Sequence, residues 1–110
     1  MGPLATGQVV IVQFPFSDLT ASKLRPAVVL AQAGRGDWIL CQITSKPYGD
    51  SNAIPVNAPD FTVGSLNLSS FARPGKLFTA HSSLIANQIG ALQPSKFLSI
   101  RQAVVQMIQD

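Results

Sequence analysis

The chain has 110 residues, with no glutamate, one cysteine, one histidine, one tryptophan and one tyrosine. Each scarcity excludes something. A lone Cys41 rules out an internal disulfide, and its place in Trp38-Ile39-Leu40-Cys41 reads as a buried strand residue rather than a nucleophile. One cysteine and one histidine do not make the usual zinc site, so no metal and no cofactor are expected. No apolar run approaches the roughly 20 residues of a membrane span. The opening Met1-Gly2-Pro3-Leu4-Ala5-Thr6 lacks the basic and apolar regions of a secretory signal. A cytoplasmic protein without a membrane partner is therefore expected. All acidic charge comes from aspartate, 5 residues against 8 Lys and Arg, for a net charge of +3. A mild positive field suits a polyanion, but the basic residues form no run, which argues against a helix laid in a DNA groove.

What is present is apolar. Hydrophobic residues make up 46% of the chain and charged ones 12%, too apolar for disorder. The length suits one domain, residues 1–110, with its own core. So little charge on so small a domain also points to surface covered by a partner, such as the seam of a homodimer.

Short β-prone runs bounded by turn residues follow one another. Gln8 to Phe14 reads as a strand after Gly7, and Pro15 to Lys23 as a polar loop. Ala27 to Ala31 and Trp38 to Ile43 are the next strands, separated by a turn over Gln32 to Asp37. A loop over Thr44 to Asn52 leads to a short strand at Ala53 to Val56, which Pro55 marks as an edge. Asn57 to Gly64 reads as a turn. Ser65 to Phe71 alternates and then slips at Ser70, the pattern of a half-exposed strand with a bulge. Lys76 to Ala80 is a further strand, His81 to Ile85 a single helical turn, and Ile89 to Leu92 a return to the sheet. Pro94 stands where a first helical residue belongs. Beyond it Phe97, Ile100, Val104 and Met107 or Ile108 recur at helical spacing, so Ser95 to Gln109 is an amphipathic helix. The fold class is mainly β: a small, partly open barrel closed by a C-terminal helix.

Polar groups gather at strand ends. Arg25 precedes Pro26 and the apolar Val28-Val29-Leu30, so a guanidinium projects from the start of a rigid element. Thr44, Ser45 and Lys46 follow a buried strand. Ser69 to Lys76 repeats the Arg-Pro dipeptide at Arg73-Pro74. Arginines and hydroxyls on one barrel rim would form a phosphodiester cradle, because guanidinium binds phosphate bidentately and stabilises developing charge. Cleavage of RNA by its own 2′-hydroxyl asks little more than alignment, charge stabilisation and proton transfer. Phe16 and Tyr48, in loops beside Arg25 and Thr44, are the stacking candidates. Phe14, Trp38 and Phe71 fit the core, Asp18 and Asp50 read as solvated loop carboxylates, and His81 has a turn or surface role.

In their order along the chain these segments resemble the PemK/MazF family of type II toxin–antitoxin endoribonucleases. Gly7-Gln8-Val9-Val10-Ile11-Val12 is similar to the family's opening strand. Lys23-Leu24-Arg25-Pro26-Ala27-Val28-Val29-Leu30 resembles its R-P signature, and Gln42-Ile43-Thr44-Ser45 its I-T-S. Ser70 to Leu77 and Ile89-Gly90-Ala91-Leu92 resemble its later motifs. The resemblance implies an SH3-like barrel with a C-terminal helix, acting as a homodimer. It implies metal-independent, sequence-selective cleavage of single-stranded RNA or mRNA, leaving a 2′,3′-cyclic phosphate and a 5′-hydroxyl, and inhibition by a cognate antitoxin. By position Arg25 and Thr44 take the family's catalytic pair, and Arg73 the second arginine of some relatives. Where some of those relatives carry an acidic residue two positions later, this chain has Gly75. With Arg73, the residues Ser45, Lys23, Lys46, Phe16 and Tyr48 complete the expected phosphate and RNA contacts. The same superfamily resembles CcdB-like toxins that poison DNA gyrase through a C-terminal helix surface without chemistry. Gln106-Met107-Ile108-Gln109-Asp110 is the segment that reading would use.

Overall fold

The computed structural model describes residues 2–14 and 23–109. The expected loop from Pro15, with Phe16 and Asp18, the side chain of Phe14, and Asp110 lie outside the described residues. Seven strands form one sheet: β1 (Gln8–Phe14), β2 (Lys23–Gly34), β3 (Asp37–Thr44), β4 (Ile54–Val56), β5 (Phe61–Gly64), β6 (Ser70–His81) and β7 (Ile85–Leu92). They lie in the order β4-β6-β3-β2-β1-β7-β5, and each neighbouring pair is antiparallel. The sheet curls into a half-barrel, and the helix α1 (Pro94–Gln109) closes the chain.

The side-chain period of two explains why strands this apolar are needed. Val9, Val28, Leu30, Cys41 and Ile43 join one core with Phe61, Ala72, Leu92, Ile100 and Val104. The alternate residues Val10, Val12, Ala27, Val29, Trp38 and Leu40 join a second with Ala80 and Ile85. The central strands are buried on both faces, so they read as continuous hydrophobic runs rather than alternating ones.

Several boundaries differ from the expected ones. β2 runs from Lys23 to Gly34 because Pro26, lacking an N–H, still fits the ladder opposite Ile11. The following turn tightens to Arg35-Gly36, both at positive φ (56° and 81°), as a two-residue hairpin requires. The stretch 57–64, expected as a turn, holds a 3-10 turn at Ala58–Asp60 and then the edge strand β5. Ser65–Ser69 is not a strand, and Ser70–His81 is one strand rather than two. The bulge falls later than Ser70. Cys41 pairs with Leu77 and Ile43 with Ala72, so Arg73-Pro74-Gly75-Lys76 stands opposite Gln42 alone. Pro74 is fully buried there, where its missing N–H costs no ladder bond.

β4 is an edge strand, as Pro55 indicated. The helix begins at Pro94, with Phe97 N–H donating to Gln93 O at 3.0 Å as its first turn closes. Ile100 and Val104 are buried against the first core. Met107 rather than Ile108 continues that stripe, its sulfur lying close over Gly75 while Ile108 is 72% exposed. Among the described residues no helix is long and apolar enough to cross a membrane.

Candidate functional site

The sheet register brings two of the expected residues together. Ala27 pairs with Gln42. Two more residues along each strand, the start of β2 reaches Arg25 as the end of β3 reaches Thr44. Both line a cavity of about 210 Å³, with Pro26, Ile43, Ser45, Leu66, Asn67, Leu68 and Ser70. Arg25 is half-buried and Ser45 exposed, whereas Thr44 is 6% exposed. The Thr44 hydroxyl is held by the next turn of chain. Its Oγ1 accepts from Lys46 N–H at 3.1 Å and donates to Lys46 O at 3.1 Å. The first bond fixes where the oxygen sits, and the second uses a proton that rotation about the C–O bond can aim elsewhere.

A second cluster joins the loop after β3 to the bulge in β6. Asp50 N–H donates to Pro47 O at 3.0 Å, closing a turn whose central residues Tyr48 and Gly49 both have positive φ (56° and 72°). The turn leaves Tyr48 exposed and sets Asp50 against Arg73. Arg73 Nε donates to Asp50 Oδ2 at 3.0 Å, and the Arg73 guanidinium carbon stands 5.9 Å from the centre of the Tyr48 ring. Asp50 Oδ1 also accepts from Asn52 N–H at 2.9 Å. The Arg73 bond first, and the Asn52 bond second, hold the Asp50 carboxyl below its ordinary range.

Of the other expected residues, Lys23 and Lys46 are exposed on either strand end, two residues from Arg25 and Thr44 respectively, and do not line the cavity. Arg73 and Tyr48 belong to the second cluster and do not line the cavity. Phe16 lies outside the described residues. Asp50, read from the sequence as a solvated loop carboxylate, is the partner of Arg73. His81 pairs with Asp37, at the end of β3 away from Thr44, and its Nδ1 accepts from Ser83 N–H at 3.1 Å to cap a 3-10 turn. Cys41 is buried, and burial pushes its thiol up to about 12. Sequence reasoning missed Leu66, Asn67, Leu68 and Ser70 as cavity walls. Their alternating polarity imitates a strand, and the signal against one was the density of serine and asparagine over Ser65–Ser70.

The arrangement can do limited and specific chemistry. Among the described residues that line the cavity there is no carboxylate and no imidazole. It offers one guanidinium, hydroxyls and an amide, groups that bind and align an oxyanion and stabilise charge that grows on it. Among the described residues no three histidine, cysteine or acidic side chains cluster as a metal site would need.

Comparisons with known proteins bear on the family and the fold. The family model of the PemK-like, MazF-like toxin of type II toxin–antitoxin systems matches residues 5–108. No curated protein matches the chain. Among solved structures, the Mycobacterium tuberculosis toxin MazF-mt6 superposes with a TM-score of 0.71 at 22% identity, covering 93% of this chain and 96% of that one. MazF from Deinococcus radiodurans superposes at 0.74 with 20% identity, covering 96% of each chain. An endoribonuclease in complex with its cognate antitoxin, from a mycobacterial species, superposes at 0.72 with 14% identity, covering 99% and 96%. At these identities the structures establish a shared fold.

Proposed function

The chain belongs to the PemK-like, MazF-like toxin family of type II toxin–antitoxin systems, and from that premise we propose that it is an endoribonuclease that cuts single-stranded RNA, mRNA included, without a metal ion. The observation that carries this reading is that Arg25 and Thr44, from two different strands, line one cavity at the sheet rim. A phosphodiester seated there faces a cation and a hydroxyl.

In the proposed reaction the 2′-oxygen attacks phosphorus and loses its proton. The bond to the 5′-oxygen breaks, and that oxygen takes up a proton. The products are a 2′,3′-cyclic phosphate and a 5′-hydroxyl. Arg25 stabilises the charge that builds on the non-bridging oxygens. Thr44, its oxygen fixed by Lys46 N–H, turns its proton from Lys46 O to the phosphate and aligns it. Ser45 adds a hydroxyl on the same wall. Lys23 and Lys46 contribute field along the strand on either side of the cut. Arg73 and Tyr48 extend the surface, one to a neighbouring phosphate and the other to the face of a base. The protein acts in the cytoplasm as a homodimer, and a cognate antitoxin inhibits it by covering this surface.

The test is incubation of the purified protein with mixed-sequence single-stranded RNA in excess EDTA, followed by mapping of both new ends. Internal cuts bearing a cyclic phosphate and a 5′-hydroxyl are expected. Intact RNA, or cuts that appear only when magnesium is restored, overturns the reading.

A further inference from the structure

We propose that Leu66–Leu68 forms a base-reading wall beside the scissile phosphate, with Asn67 setting the sequence at which the RNA is cut. The proposal rests on the ribonuclease reading above and extends it to selectivity. The cavity divides by chemistry. Among its lining residues Arg25, Thr44 and Ser45 are suited to a phosphate, whereas Leu66, Asn67 and Leu68 carry no charge. Phosphate contacts position a nucleic acid but carry no sequence information, whereas contacts to base edges do. At about 210 Å³ the cavity is below the roughly 300–1,000 Å³ of sites for drug-sized ligands, a size for one nucleotide rather than a stretch of them.

The wall is anchored at both ends and open between them. Leu66 is half-buried against the core. Ser70 is buried, and its hydroxyl donates to Leu68 O at 2.9 Å. Between these anchors Asn67 is exposed, and its amide bonds to no other described residue. An asparagine amide presents a donor pair and an acceptor, the complement of a base edge that offers one of each. Leu68 lines the cavity and is 66% exposed, an apolar surface for the face of a splayed base. Single-stranded RNA is read in this way, by apolar or aromatic contact with an unstacked base and hydrogen bonds to its edge.

The experiment maps cut sites of the wild type, Asn67→Ala and Asn67→Asp on a randomised single-stranded RNA pool. The same pool is also selected for binding to each immobilised protein. Asn67→Ala should lower the preference at one position adjoining the cut by about tenfold and leave the other positions alone. Asn67→Asp, nearly isosteric but an acceptor only, should move that preference toward bases with an exocyclic amine. An unchanged consensus in both variants overturns the proposal, as does an equal loss of cutting at every sequence. A wild type with no base preference in either assay does so too. A wild type that selects a consensus but cuts nothing refutes the ribonuclease reading, while the binding consensus of the variants still decides the role of Asn67.

Discussion

Arg73 Nε donates to Asp50 Oδ2 at 3.0 Å, joining the loop after β3 to the bulge in β6. Both side chains are largely withdrawn from solvent, at 18% and 15% exposure. The bond spends the guanidinium edge that carries Nε and leaves the terminal nitrogens for another acceptor. It also fixes the turn that presents Tyr48. The second cationic element of the surface is thus partly neutralised by Asp50.

A pH dependence follows from this pair. Asp50 is held below the ordinary carboxylate value, so the folded state binds its proton less readily than the unfolded chain. The sign is that of a depressed acid: its stabilisation is complete above about pH 4, the unfolded value, and is lost as pH falls through the lower folded value. Urea midpoints of the wild type and Asp50→Asn should differ at pH 7 and converge only as pH falls through the lower folded value, below which Asp50 is protonated in both states. A constant difference across that range would mean that packing, not charge, holds the loop. Salt should narrow the gap at pH 7.

Cleavage should depend on Arg25 more than on any neighbouring cation. Arg25→Ala should lower kcat by about 10²–10³, the usual cost of removing one donor that faces developing charge. Arg25→Lys should recover little of it, since an ammonium lacks the planar fork. Thr44→Val should fall further than Thr44→Ser, which keeps a hydroxyl for both Lys46 and the phosphate. The far-UV spectra should match the wild type, which separates lost chemistry from a lost fold. An Arg25→Ala chain that cuts no RNA but still arrests growth would favour the gyrase-binding reading of the C-terminal segment.

The fold was legible because the central strands are buried on both faces and read as plain hydrophobic runs. Pro55 marked an edge for the reason prolines usually do: it donates nothing to a ladder. Around Ser65–Lys76 the same logic failed. Leu66 and Leu68 alternate with polar residues as strand residues would, yet both line a cavity and Leu66 also packs against the core. Arg73-Pro74-Gly75-Lys76 looked like a break between strands, but a long bulge against Gln42 keeps the strand continuous. Only the register shows that. For the site, the Arg-Pro and Ile-Thr-Ser segments picked out Arg25 and Thr44. The bond from Asp50 to Arg73 joins residues far apart in sequence, and composition carries no trace of it.

Gly64 should be intolerant of any side chain. It lies at φ +71°, and an added Cβ would collide with the carbonyl oxygen of Ile89 across the β5–β7 ladder. Its partner Gly90 is tight as well, with Val63 O 2.5 Å from where a Cβ would stand. A backbone atom cannot swing aside as a side chain can. Gly64→Ala should therefore cost about 2–4 kcal/mol, from the strained φ and the displaced edge strand together. Urea unfolding measures it. Gly49→Ala, where φ is +72° but nothing lies within 4 Å, isolates the conformational part and should cost less. Equal losses at the two sites would mean that the close approach of β5 to β7 contributes nothing.

Cys41 should be inert to thiol reagents until the molecule opens. Burial raises the thiol to about 12, and Sγ donates to Arg73 O at 3.2 Å. At pH 7.5 the thiolate fraction is then on the order of 10⁻⁴ to 10⁻⁵. Cys41 also lies mid-strand, between β2 and β6, so no local fraying reaches it. Labelling by an aromatic disulfide should therefore follow the population of the unfolded chain and rise with urea in step with global unfolding. Fast labelling in native buffer would show that the bulge opens independently. The substitutions separate the two roles of the sulfur. Cys41→Ser keeps a donor for Arg73 O, whereas Cys41→Ala removes it and adds a small void. If the bond matters, Cys41→Ala should be the less stable variant, by about 1 kcal/mol or more. The strain should then appear at Arg73, as a loss of the pH-dependent difference that Asp50→Asn otherwise reveals.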